Sequence, residues 1–409
     1  MKLAKLTTLY FLSSTCTVNA AEIIPLEQFP KWFKDASTRE KEVKKHSNVK
    51  IEELNVKAKI LGKAQLSSES EGTWYYIIDI GTNTPVECYA FTEFDGSANS
   101  LYAMLTAMLP GVEKLNNKKL SSKHNLASGV GMIDDTPYMH FDMLYSLGEG
   151  NKKVTGVLKG RSAQTESAAQ VCIHNEIGYQ KTFQTVFDSF VKAFKKNDKN
   201  TGFFQVVTEL MFNDLPVGFG HERFTLDSDG DVEIKVVTSM LLPVDTNTVM
   251  SVDTYSSAWS RPDGSLINAN EYSVENRVLS SNLAIQAKEG KWQVEGEIQG
   301  KPISKSLAYD GWLLSDYGTY LQNINLIQSE KDSVQSFMWI SDLDPTQALP
   351  VNVNKINDNV NANLKMSMGP LNLSVFVDKN GLLKKGTMKM GGLNISMKSI
   401  YSKGSPQIK

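Results

Sequence analysis

The chain has 409 residues, with 43 Lys and Arg against 45 Asp and Glu and a formal net charge of −2. A balance this close to neutral leaves no electrostatic footprint for nucleic acid, and the basic clusters at Lys41 to Lys45 and Lys192 to Lys196 are flanked by acids, as solvated faces are. The length suits two or three domains, each able to bury a core without a lattice of disulfides.

Lys2 and Lys5, the apolar run from Leu6 to Leu12, and Val18-Asn19-Ala20-Ala21 read as a secretory signal peptide over residues 1–20, cleaved after Ala20. The run falls short of the about 20 apolar residues that a membrane-spanning helix needs. Cys16 offers a lipidated amino terminus as the rival reading, with Thr15 a bulky approach to such a cysteine. The expected location is periplasmic or secreted, and the protein is not expected to be integral to a membrane.

Residues 21–200 read as an α+β domain. Phe29-Pro30-Lys31-Trp32-Phe33 opens a short helix whose Trp32, Phe33 and Ala36 share a face. Strands are expected from Leu54 to Leu66, from Thr73 to Ile80 and around Cys88, broken by Gly72 and by Gly81 to Pro85. A helix follows from Ser97 to Leu109, carrying Leu101, Met104, Leu105 and Met108 at helical spacing and stopped by Pro110-Gly111. Strands near Tyr138 to Leu147, Lys153 to Lys159 and Ala168 to His174 precede a second helix, Gly178 to about Lys196. Its apolar stripe is Phe183, Val186, Phe187, Phe190, Val191 and Phe194. Antiparallel strands with packed helices define the class.

Residues 201–409 show almost no helical periodicity. Phe224 to Val236 is a hairpin around Asp229-Gly230, and further turns fall at Pro262-Asp263-Gly264, Glu289-Gly290, Gly300-Lys301-Pro302 and Asp378 to Gly381. The expectation is an antiparallel β domain, a sandwich or a half-barrel.

Only Cys88 and Cys172 remain in the mature chain, both in strand-like contexts that a helix soon follows, as in a duplicated strand–helix unit. An exported pair reads as a disulfide. The bridge would close a loop of roughly 85 residues and add about 4 kcal/mol in the chain-entropy model. Buried thiols and a reactive cysteine are the alternatives. Cys172-Ile173-His174 invites a thiolate–imidazole pair, but residues two apart on a strand stand roughly 6.5–7 Å from one another, beyond hydrogen-bond reach.

His140 and Asp142 share a strand face opposite Met139, Phe141 and Met143, with no further ligands at metal spacing, so a solvated or hydrogen-bonded sheet face is the reading. Asp134-Asp135 reads as a turn. Asp227-Ser228-Asp229-Gly230-Asp231 has alternate carboxylates, yet the twelfth position of a calcium loop would be Thr238, not Glu. No Gly-x-Ser-x-Gly elbow occurs. No metal, cofactor or catalytic residue is expected.

The remaining feature is apolar. Leu364, Met366 and Met368, then Leu371, Leu373 and Val375, then Met388 and Met390, alternate on successive strands and form either a filled core or the lining of a cavity. The runs Trp292 to Lys301 and Val375 to Met390 resemble the strand–turn–strand rhythm of LolA-like periplasmic half-barrels over residues 205 to 405 at most. That resemblance implies a curved sheet that holds acyl chains.

The expected function is non-enzymatic: binding or carrying an apolar or lipid-linked ligand, or an envelope protein, with Met366, Met368, Met388 and Met390 lining the site and Trp292 and Trp312 at its rim. A cysteine-dependent envelope hydrolase or transferase and a structural assembly protein are the alternatives.

Overall fold

The computed structural model describes residues 26–92, 96–195, 202–245, 248–356, 361–390 and 393–408, and only the backbone of residues 26, 389, 390 and 393. The expected signal peptide, with Cys16 and Ala20, lies outside the described residues. Two compact units emerge: Asn19–Asp198 with Leu241–Ser251, and Lys199–Met240 with Val252–Lys409. The molecule is mostly β, with large antiparallel sheets that do not close into a barrel.

The amino-terminal unit begins with helix α1 (Lys31–Ser37) and a hairpin of β1 (His46–Ile51) and β2 (Val56–Leu61). Phe33 and Ala36 dock α1, whereas Trp32 is 54% exposed, so one aromatic anchors the helix rather than two. A seven-stranded sheet follows, made of β3 (Lys63–Ser70), β4 (Thr73–Asp79), β5 (Val86–Phe91), β6 (Leu120–Ile133), β7 (Thr136–Leu147), β8 (Val154–Gln164) and β9 (Ala169–Asn175). The order β3-β4-β5-β9-β8-β7-β6 describes two meanders joined at their last strands. Cys88 sits directly opposite Cys172 across that join.

A helix follows each meander. α2 (Ser97–Asn116) packs on β7, β8 and β9, and α3 (Gln180–Phe194) packs on β2 and β9. α2 runs seven residues past the expected stop, straight through Pro110, and ends at Asn117, whose left-handed φ of 48° lets its N–H close on Glu113 and Lys114. Pro110 and Gly111 are exposed, so the missing donor costs little where water can serve the freed carbonyl. α3 buries the expected phenylalanine stripe, with Tyr76 and Tyr138 meeting Phe190 and Phe187 edge-on. Glu40 caps α3 from outside, its carboxylate accepting the N–H groups of Lys181 (2.9 Å) and Thr182 (2.8 Å).

The carboxy-terminal unit is built on one fourteen-stranded sheet. Its first run is β10 (Phe204–Phe212), β11 (Leu215–Leu226), β12 (Val232–Pro243), β13 (Val249–Ser260), β14 (Leu266–Glu275), β15 (Val278–Lys288), β16 (Lys291–Ile298) and β17 (Lys301–Ser306). Helix α4 (Asp316–Gln328) intervenes. The second run is β18 (Ser333–Trp339), β19 (Ala348–Lys355), β20 (Leu364–Met368), β21 (Leu371–Val377), β22 (Leu383–Met390) and β23 (Leu393–Gly404). Each run is a meander, and β23 pairs with β10, so the two runs join mid-sheet and leave β17 and β18 as edges.

The expected turns are present, except that the one expected over Gly300 to Pro302 falls at Gln299 and Gly300, because Lys301 and Pro302 already belong to β17. Asp227 Oδ1 accepts from the N–H groups of Asp229 and Asp231 (both 2.9 Å), which makes that acidic loop a self-bonded hairpin turn.

α4 departs from the expected lack of helix in this half, and it packs on β18 and β19 and, through Tyr320, on β10 and β11. Tyr320 packs at 5.2 Å from Phe204 and 5.6 Å from Phe224, and donates its hydroxyl to buried Glu222 at 2.8 Å. Its start is fixed by Ser315, whose Oγ accepts the Gly318 N–H at 3.0 Å.

Candidate functional site

The segment between β17 and α4 is threaded by side chains and backbone alike. Trp292 donates its indole N–H to the Gly311 carbonyl (2.9 Å), and the Tyr309 hydroxyl donates to the Trp312 carbonyl (3.1 Å) while its ring stacks on Phe337 at 4.7 Å. Leu313 to Ser315 then form a short extended bridge. The Leu266 N–H donates to Leu313 and the Ser315 N–H to Gly264, whereas the Leu314 N–H donates to Phe337 of β18 at 2.7 Å. The sheet therefore curls until its β18 edge and the β13–β14 turn share one bridging segment.

Where that bridge ends, a cleft of about 320 Å³ opens along α4. Its apolar wall is Trp312, Leu314, Leu321, Leu326 and Val334. Asp263, Gln322, Asn325, Ser329 and Lys331 supply polar groups. Trp312 stands 58% exposed, its backbone held and its ring free. The hydroxyl and N–H of Ser265, both on Asp263 Oδ1 (2.7 and 2.8 Å), hold that carboxyl below the usual carboxylate range, so it stays ionised. An apolar wall with a few convergent polar groups is the composition of a small-ligand or side-chain pocket.

Of the six residues named from sequence as a binding face, five have described side chains, and one of those five lines the cleft. Trp312 lines the cleft. Trp292 is buried and supports the neighbouring Gly311. Met366, Met368 and Met388 lie at most 5% exposed on the inner face, with Leu373 opposite both Met366 and Met388, and none lines the cleft. The side chain of Met390 lies outside the described residues. Leu321, Leu326 and Val334, unnamed from sequence, do line it. The signal that could have found the helix bearing Leu321 and Leu326 is the spacing of Tyr317, Tyr320, Leu321, Ile324 and Ile327, which is helical, whereas Val334 stands on β18 and has no such signal.

No protein-family profile matches the chain, and no curated protein matches it. Among solved structures it is similar to a β-barrel-like protein of a domain of unknown function, DUF1849, from Brucella abortus. The identity is 10% and the TM-score 0.39, covering 49% of this chain and 96% of that one. It is also similar to the di-domain ARO/CYC StfQ of the steffimycin biosynthetic pathway, at 9% identity and TM-score 0.11, covering 58% of this chain and 74% of that one. Both scores are low, and the reading of the cleft rests on its own geometry.

The amino-terminal candidates resolve differently. Cys88 and Cys172 are joined in a disulfide with both residues fully buried, a state in which neither sulfur is a nucleophile. The His140–Asp142 face is covered by α3 rather than solvated. Asp142 is buried against Arg161 (2.9 Å) and accepts from Gln180 (2.6 Å). Burial, reinforced by the Arg161 charge, pushes His140 down to about 4. Burial, reinforced by the Lys159 charge, takes His174 to about 3. Lys159, fully buried and bonded to the Gly178 carbonyl, is lowered to about 8 by the same desolvation. These groups form a packed polar core under the start of α3. Among the described residues no cluster of His, Cys, Asp and Glu is arranged to hold a metal, and no helix is long and apolar enough to cross a membrane.

Proposed function

We propose that the protein is an exported, non-enzymatic binding protein. Its ligand would be an apolar or lipid-linked group, or the apolar part of an envelope protein, taken up in the cleft beside α4. The observation that carries this reading is Trp312, a large aromatic left in solvent on a braced backbone above an apolar wall. Burying half of such a ring would contribute on the order of 1–3 kcal/mol, at about 25 cal/mol per Å² removed from water. The residues that read as a signal peptide, and the two cysteines in a disulfide, support export.

The test is native mass spectrometry of protein purified from its own cells, followed by oleate titration monitored through tryptophan fluorescence. A co-purifying mass that leaves on denaturation, and an oleate response at least tenfold weaker in Trp312→Ala at unchanged circular dichroism, are the expected results. A bare protein with identical responses in wild type and variant would remove the cleft from consideration.

A further inference from the structure

Resting on the cleft as the binding site, we propose that its occupant is an extended polypeptide segment, which adds as a strand to the free half of β18 and places an apolar side chain beneath Trp312. The Phe337 carbonyl faces out of the sheet, because the Leu314 N–H donates to it from outside. Backbone groups two residues apart on a strand face the same way, so Ser333 and Gln335 also point outward, while Val334, Ser336 and Met338 turn toward β19. Pro350 supports this assignment independently. It lies opposite Phe337 and has no N–H, which suits a position where the pair exchanges no hydrogen bonds.

Leu313 to Ser315 already sit on the outer side of β18 at Phe337, so the chain itself demonstrates that this edge accepts an extended segment. Beyond the bridge, Ser333 and Gln335 are solvent-exposed, and among the described residues no backbone group bonds them from that side. The cleft begins at the same place, with Val334 in its wall. The other edge of the sheet is guarded: β17 carries Lys301, Pro302 and Lys305, which deter strand addition, whereas Ser333-Val334-Gln335 has neither charge nor proline. An acyl chain can fill the wall of Leu321, Leu326 and Val334, but it cannot use alternating N–H and C=O groups. A peptide uses both.

The probe is acetyl-Thr-Leu-Thr-Leu-Thr-amide, together with two twins N-methylated either on both leucines or on the flanking threonines. Binding is read by calorimetry and by Trp312 fluorescence. One-sided strand pairing requires that one twin lose at least tenfold in affinity and the other bind like the parent. Gln335→Pro removes an outward donor without touching the β19 ladder, and is expected to weaken the peptide about tenfold while oleate binding, if present, is unchanged. If both twins bind equally, or if oleate binds through Trp312 and the peptide does not, strand addition is overturned and the cleft reading stands. If neither probe responds to Trp312→Ala, both fall. Should Gln335→Pro not fold, the methylated twins decide alone.

Discussion

At the scale of single residues, the amino-terminal unit carries its charges in an unusual place. Lys159, Arg161, Asp142 and His174 are all nearly or wholly buried on the sheet face under α3. Alternation along β7, β8 and β9 puts them on one face, but no local pattern announces that a helix will cover it. Alternation alone does not tell a hydrogen-bonded face from a solvated one, because the covering Gln180 lies 19 positions from Arg161 and 38 from Asp142, on a different element. The consequence is acid sensitivity. His174, at about 3 in the folded state, refuses a proton that the unfolded chain accepts near 6.5, so stability present above pH 6.5 is lost progressively as pH falls toward 3. At pH 5 that loss is about 2 kcal/mol from His174, with His140 acting in the same direction. Urea midpoints measured from pH 7.5 to 4.5 should fall throughout, and more gently in His174→Gln. An unchanged slope in the variant would place the acid sensitivity elsewhere.

Among elements, α4 decides what the carboxy-terminal sheet can do. The apolar ladder of Leu364, Met366, Leu373 and Val375 was legible as one face of successive strands, and so were the hairpin turns, because period-two alternation and Gly-containing turns are local signals. Whether that face lined a cavity was not legible, since the answer depends on a helix that nearly loses its stripe. Thr319 and Asn323 are buried alongside Tyr317 and Tyr320, and Gly318 sits in the first turn. Gly318 has a packing reason. A Cβ there would lie 2.3 Å from the Gly264 carbonyl, and one on Gly264 would lie 2.5 Å from the Gly318 Cα. The helix and the β13–β14 turn thus touch backbone to backbone. Gly318→Ala gains about 1 kcal/mol of helix propensity but forces apart two backbones that cannot rotate away, an overpacking cost of about 1–3 kcal/mol or more. The expected result is a melting temperature several degrees lower and a weakened Trp312 response. A variant more stable than wild type would show that the two backbones can separate freely.

For the whole molecule, the disulfide is a covalent cross-link between the two meanders of the amino-terminal sheet, added to the chain connection through α2 and joining residues 84 apart. The paired cysteines were legible because only two lie beyond the expected leader and both sit in strand-like runs. Their exact opposition across β5 and β9 required the long-range pairing itself. Intact mass without reductant should be lighter than the reduced formula by two hydrogens. The Cys88→Ser/Cys172→Ser chain should lose about 4–5 kcal/mol by the loop-closure argument. A urea midpoint unmoved by the double substitution would assign the stability of this unit to its core alone.

The pairing of β10 with β23 has a temporal side. Phe204 lies opposite Gly404, so the middle of the large sheet is sewn together by the first and last strands of its unit. During synthesis at about 5–20 residues per second, β10 waits roughly 10–40 s with one flank bare before its neighbour exists. Any chain interrupted before Leu393 keeps that flank open, and an unpaired strand in mid-sheet invites capture by another copy. Closure of that flank therefore waits on β23, and the slowest moment in the assembly of the large sheet is the interval between the making of β10 and the arrival of the strand that covers it.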